Sequence, residues 1–141
     1  MTDRPAPLVR LRQLLRSRNE RGSATLVLVI LMPAVLLITF GTIQGALYYH
    51  ARTVALAAAQ EGLRATRVEN GTTSAGAQSA RQFLTETGDG YLEAVTVTPS
   101  RSATTATVTV AGTCLMMVPG MPSLQVSQTA TGPVERYTDS R

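Results

Sequence analysis

Apolar residues crowd into one block near the N-terminus and then spread into two successive rhythms, one helical and one of period two. No Asp, Glu, Lys or Arg occurs between residues 22 and 51, and residues 24–47 are apolar almost throughout. As a helix that run is roughly 36 Å long, against a hydrocarbon core of about 30 Å. A cleaved secretory signal has a shorter apolar core, about 7–15 residues, followed by a small-residue cleavage site. Here the run is longer, and Gly45-Ala46-Leu47-Tyr48-Tyr49 is a poor match to such a site. A buried helix of a soluble domain does not need this length or an arginine-rich flank. The pattern therefore predicts a transmembrane helix over residues 22–50, loosened or kinked at Pro33, where a backbone donor is missing.

Beyond the apolar block the helical rhythm continues with smaller residues. Ala51, Ala55, Ala58, Gly62 and Ala65 recur at spacings of four and three, forming a stripe that lets another backbone approach closely. The same stripe also follows from the high helix propensity of Ala alone. Asn70-Gly71 is expected to close this helix in left-handed backbone geometry. A second helix is predicted over residues 74–87, capped by Ser74 and stopped by Gly88, with Ala77, Ala80, Phe83 and Leu84 on its apolar face.

From Tyr91 the period becomes two. Tyr91, Glu93, Val95 and Val97 alternate with Leu92, Ala94, Thr96 and Thr98 as far as Pro99, and Ser100-Arg101-Ser102 reads as a hairpin turn. Ala106, Val108 and Val110 then alternate with threonines, and Leu124, Val126 and Ala130 with polar residues. These runs predict a three-stranded antiparallel sheet with one face packed on helix, an α+β fold. Between the last two runs, residues 115–122 (Leu-Met-Met-Val-Pro-Gly-Met-Pro) carry no polar side chain. Such a loop calls for burial against the helix, lipid or another subunit. Residues from Gly132 to Arg141 read as a frayed tail.

Charge changes the picture by its location. The net charge is +4, and Arg4, Arg10, Arg12, Arg16, Arg18 and Arg21 all precede the apolar block, against Asp3 and Glu20. After the block, arginines and carboxylates balance. The excess is thus a topology signal, placing residues 1–21 in the cytoplasm and the later domain outside. No basic face interleaved with aromatics occurs, which argues against nucleic acid as a partner.

Candidate chemistry is sparse. Cys114 stands alone, so it forms neither an internal disulfide nor a zinc site, and reads as a small buried apolar residue. His50 is the single histidine and reads as an interfacial polar group beside Tyr48 and Tyr49. Glu86 and Asp89 are read as solvating the end of the second helix. Asn70-Gly71-Thr72 fits a glycosylation sequon and is read as a turn. The expectation is a non-enzyme without cofactor or metal.

Several ordered segments carry a family resemblance. They are Arg21-Gly22-Ser23-Ala24-Thr25, the Leu31-Met32-Pro33 step, and Tyr48-Tyr49-His50-Ala51-Arg52 followed by Ala55-Leu56-Ala57-Ala58-Ala59-Gln60-Glu61-Gly62. The strand and loop ending in Val118-Pro119-Gly120, and the later Gly132-Pro133-Val134-Glu135-Arg136, complete the set. Over residues 20–136 this order resembles the TadE-like family, pilin-like proteins of bacterial tight-adherence (Flp-type) pilus systems. The resemblance implies a minor pilin or pseudopilin in the cell membrane, with lipid, other pilin-like subunits and the pilus assembly machinery as partners. It also implies a prepilin peptidase acting between Gly22 and Ser23. One departure stands at residue 27, where the family usually has Glu and this chain has Val27. In pilin-like proteins that carboxylate pairs with the new N-terminal amine of a neighbouring subunit. A plain membrane-anchored envelope protein is the alternative. The implied organisation is a leader (1–21), a transmembrane helix (22–50), an extracytoplasmic domain (51–136) and a tail (137–141).

Overall fold

The computed structural model describes residues 7–136 except 89, 118, 119 and 121, with side chains described from Thr25 onward. Of the tail expected to fray from Gly132, residues 137–141 lie outside the described residues, as does part of the apolar loop, whereas Gly132 and Pro133 are paired as strand with Ala106 and Thr105 because the alternating polar run continues through them. Two helices precede three strands: α1 (Pro7–Arg67), α2 (Thr73–Thr87), β1 (Leu92–Arg101), β2 (Thr105–Cys114) and β3 (Gln125–Pro133). The strands form one antiparallel sheet in the order β1-β2-β3, so the predicted α+β class holds.

Contacts divide the chain into two units, Met1–Gly41 and Thr42–Arg141. In the first, the described part is helix. α1 passes through Pro33 unbroken. From Leu26 to Ile38 every large aliphatic side chain is exposed, reaching 75% at Ile30. Segment 25–67 is long and apolar enough to cross a membrane, with an apolar window of mean hydropathy 2.7 that is buried nowhere in the protein.

The second unit has a core of small and β-branched residues. Ala51, Val54, Ala55, Ala58, Ala59 and Leu63 of α1 meet Ala80 and Leu84 of α2. Val97, Ala106, Val108, Val110, Cys114, Val126 and Ala130 supply the facing side of the sheet. The opposite face is a threonine ladder, with Thr107 bonded to Thr131 at 3.2 Å and Thr109 to Thr129 at 2.9 Å. This is the one-sided alternation expected of an antiparallel sheet with one covered and one solvated face.

Local boundaries differ from expectation in instructive ways. α1 ends at Arg67, three residues before Asn70, and neither Asn70 nor Gly71 takes up positive φ. Gly71 is needed for room instead, because a Cβ there would lie 2.6 Å from the Ala65 carbonyl oxygen. Carbonyls at and just beyond the end of α1 are capped from far along the chain by Arg101. Its guanidinium donates to Thr66 O, to Val68 O at 2.8 Å and to Glu69 O at 3.0 Å. Glu135 N–H adds a bond to Arg67 O at 2.8 Å, and the two side chains pair at 3.0 Å. In α2 the cap is Thr72, two residues before the expected Ser74, its hydroxyl accepting from Ala75 N–H at 3.1 Å. Gly88 stops α2 as predicted, its N–H donating to Leu84 O at 2.8 Å.

β1 does not break at Pro99, which pairs with Val108 across the ladder. Proline is tolerated there because β1 is an edge strand and its missing donor faces no partner. The turn accordingly moves to residues 102–104, closed by Ser102 N–H to Thr105 O at 2.8 Å. A bulge between Glu93 and Thr96, with Ala94 at φ 49°, reverses the inside–outside phase. Val97 is buried while Val95 is exposed, so the two do not share a buried face.

Candidate assembly and membrane surfaces

The stripe of small residues shows what its spacing is for. Ala51, Ala55 and Ala58 are completely buried, Gly62 is buried and Ala65 half-buried. At Gly62 the helices α1 and α2 come so close that an added Cβ would sit 2.8 Å from Gly76 O and 3.0 Å from Ala80 Cβ. Gly76 is the reciprocal contact, its missing Cβ making room for the Thr66 hydroxyl and Gly62 O. Thr66 Oγ1 turns back onto its own helix, donating to Gly62 O at 2.8 Å, which leaves this buried hydroxyl satisfied. Close backbone approach is thus the stripe's role. The backbone that approaches is the chain's own α2, together with the sheet, so the stripe is not an open face awaiting another subunit.

The unit has two chemically opposite ends. Arg67, Glu135, Arg101 and Arg136 cluster where α1 ends, Arg136 donating to Ala103 O at 2.6 Å. At the other end Gln44 is 5% exposed and acts as a clamp. Its Nε2 donates to Leu115 O at 3.1 Å and its Oε1 accepts from Met117 N–H at 3.1 Å. Both halves of the amide are therefore used to hold the start of the apolar loop against α1. Leu47, Tyr48 and Leu124 pack beside it on the core. His50 meets Tyr91 edge to face with ring centroids 4.4 Å apart, and Leu115 N–H bonds Tyr91 O at 3.2 Å. The compact unit begins at Thr42, inside the apolar run.

No sequence signal marked Gln44 as a clamp. Its only hint was being a primary amide within an otherwise uncharged apolar run, where a polar group needs a partner. Arg101 was legible only as a turn residue.

The remaining candidates lie apart. Cys114 is buried, and that burial pushes its thiol pKa above the usual value, disfavouring the reactive thiolate. A shallow groove between α2 and β1 is lined by Arg81, Leu84, Thr85, Gly88, Leu92 and Val95. Of the pair Glu86 and Asp89, Asp89 lies outside the described residues, while Glu86 accepts a bond from Gln82 at 2.9 Å. Gly22 and Ser23 fall within the span of α1 but outside the residues whose side chains are described. Val27 lies among the exposed side chains of the apolar run.

Residues 22–64 match the family model described as TadE-like protein, so this segment is similar to that family. It covers the apolar run and the small-residue stripe as far as Gly62. No curated protein and no solved structure matches the chain.

Proposed function

We infer from the TadE-like segment at residues 22–64 that the chain is a single-pass, pilin-like membrane component of a tight-adherence pilus or a related secretion assembly. The observation that carries this reading is the combination in one helix of an exposed aliphatic run with a small-residue stripe folded into a compact α+β domain. The arginines before Gly22 put the N-terminus in the cytoplasm and the domain outside, because positive flanks are retained on the cytoplasmic side. The role is structural, without catalysis.

Within that reading the chain is a minor pilin or pseudopilin, and the processing bond is Gly22–Ser23. A cut there removes six arginines and leaves an amine at the membrane surface. With Val27 where the family places a carboxylate, that amine has no partner in a neighbouring subunit. A buried charge without a partner is costly, so incorporation into a continuous filament is weak and the subunit acts in assembly. Val27 also supports a second reading, an envelope protein that is anchored but never processed.

Intact-mass measurement of the membrane-extracted protein, from cells with an active prepilin peptidase, separates the two. The pilin-like reading expects a product beginning at Ser23. Full-length protein alone refutes processing and leaves the anchored-protein reading. Crosslinking in the same cells then tests association with the assembly machinery.

A further inference from the structure

We propose that residues 115–117, which open the apolar loop, are a second membrane contact, seated in the headgroup and acyl boundary of the outer leaflet beside the emerging helix. The proposal rests on the reading of α1 as membrane-spanning. Gln44 fixes the level. About 20 helical residues cross the hydrocarbon core, so a run that begins at Ala24 reaches the outer boundary near Gln44. The Gln44 amide holds Leu115 O and Met117 N–H at 3.1 Å each, which brings the loop to that same level.

The chemistry of the loop suits lipid. Met117 is 53% exposed. Residues 115–122 carry no charge and no polar side chain, so water gains nothing from solvating them beyond the backbone. Methionine is unbranched and polarisable, and adapts to an irregular apolar medium.

An independent observation marks the same end of the domain. Three of the chain's four tyrosines, Tyr48, Tyr49 and Tyr91, lie in this region, joined to the loop through Leu115 N–H on Tyr91 O and through the His50–Tyr91 ring contact. Tyr49 is 74% exposed. Tyrosines at one level form the belt that a bilayer interface favours, with the ring in the apolar edge and the hydroxyl in the headgroups. The cluster of Arg67, Arg101, Glu135 and Arg136 sits at the opposite end of the unit, and the charged residues nearer the loop, Arg52 and Glu93, are exposed. Two contacts, helix and loop, restrict how the domain can tilt over the membrane.

The test uses full-length protein in phosphatidylcholine–phosphatidylglycerol vesicles containing lipids brominated near the headgroup end of the acyl chain. Cys114 is replaced by Ala, and an environment-sensitive fluorophore is attached at Met117→Cys, Leu36→Cys or Gln78→Cys in separate chains. Met117 is exposed, so a label there leaves the core intact, while Gln78 on the exposed side of α2 is the aqueous reference. The expected result is quenching at Met117 at least threefold above that at Gln78, with Leu36 also quenched. Gln44→Ala should cut the Met117 signal at least by half. Quenching at Leu36 with Met117 matching Gln78 overturns the loop contact and leaves the spanning helix standing. Absence of quenching at both Leu36 and Met117 overturns the spanning reading and the loop contact with it. A Met117 label shielded from aqueous iodide but not quenched by lipid would mean that protein covers the loop, which refutes the proposal. Unchanged Met117 quenching in Gln44→Ala removes the clamp from the account.

Discussion

Residues 25–43 and residues 44–67 belong to one helix yet are written for two different solvents. The first stretch carries Leu, Val, Ile, Met and Phe around its whole circumference, all exposed. The second carries Ala, Gly and Thr on one face, buried by α2 and the sheet, with Arg52, Gln60 and Arg64 on another. The difference shows that hydrophobicity does not by itself report burial within the protein. Lipid solvates large aliphatic side chains without any tertiary structure, so bulk is unselected for fit. A helix packed against its own domain at backbone distance needs small residues, because each added carbon separates the helices. The compact unit starts at Thr42, close to where bulk gives way to small size.

Gly62→Leu should break the comparison most severely. Its first added carbon already meets Gly76 O at 2.8 Å, a backbone atom that cannot step aside. A loss of about 3 kcal/mol or more of domain stability is expected, read as a lowered melting temperature in detergent. Leu36→Ala, in the exposed stretch, should leave that melting temperature unchanged. Equal effects from the two would erase the distinction between the halves of the helix.

Arg101→Met tests whether the end of the packed half depends on distant capping. The variant keeps much of the side-chain stem but removes the donors that serve Thr66 O, Val68 O and Glu69 O. A cost of about 2 kcal/mol is expected, in the range for hydrogen bonds to a charged group. Amide exchange should accelerate specifically over residues 63–71. Uniform acceleration across the domain, or none, would show that the cap is not local.

Gln44→Leu probes the junction between the two halves. It removes the bonds to Leu115 O and Met117 N–H while keeping apolar volume. The expected loss is about 1 kcal/mol, the usual net worth of such bonds, accompanied by faster exchange at the Met117 amide. If Met117 exchange is unaffected, the clamp does not hold the loop.

Cys114 gives the smallest effect. Burial raises the folded-state pKa of its thiol, so the folded protein holds that proton to higher pH than the unfolded chain does. Above the unfolded thiol's pKa, the unfolded state therefore gains from ionisation before the folded state can. Stability should be level below pH 8 and decline as pH rises from about 8.5, the ordinary thiol value, towards the raised folded value. Cys114→Ala should flatten that decline. A decline of the same size in Cys114→Ala would assign it to other groups.

How much of this was legible follows from which signals are local. The apolar run, the small-residue stripe, the Gly88 stop and the alternation in β2 and β3 are each written within one element, and they agree with the fold. The bulge at Ala94 was not legible, because a bulge is a relation between two strands and the sequence of β1 alternates smoothly through it. Pro99 read as a break because its tolerance depends on β1 being an edge, which the chain does not declare locally. Arg101 and Gln44 act across 33 and 71 residues of sequence, to Val68 and Leu115 respectively, so nothing near them announces their partners. The stripe was legible as a packing face, but its partner was not, since an internal helix and a neighbouring subunit ask for the same small residues.

The orientation of the two halves is the claim on which the account turns. Fusing alkaline phosphatase, and separately green fluorescent protein, to the C-terminus of the full chain in a bacterial host tests it most directly, because each reporter works on only one side of the membrane. The account predicts an active phosphatase and a dark fluorescent protein, with the α+β domain outside the cytoplasm. A bright fluorescent fusion with an inactive phosphatase would place the domain in the cytoplasm and contradict the account.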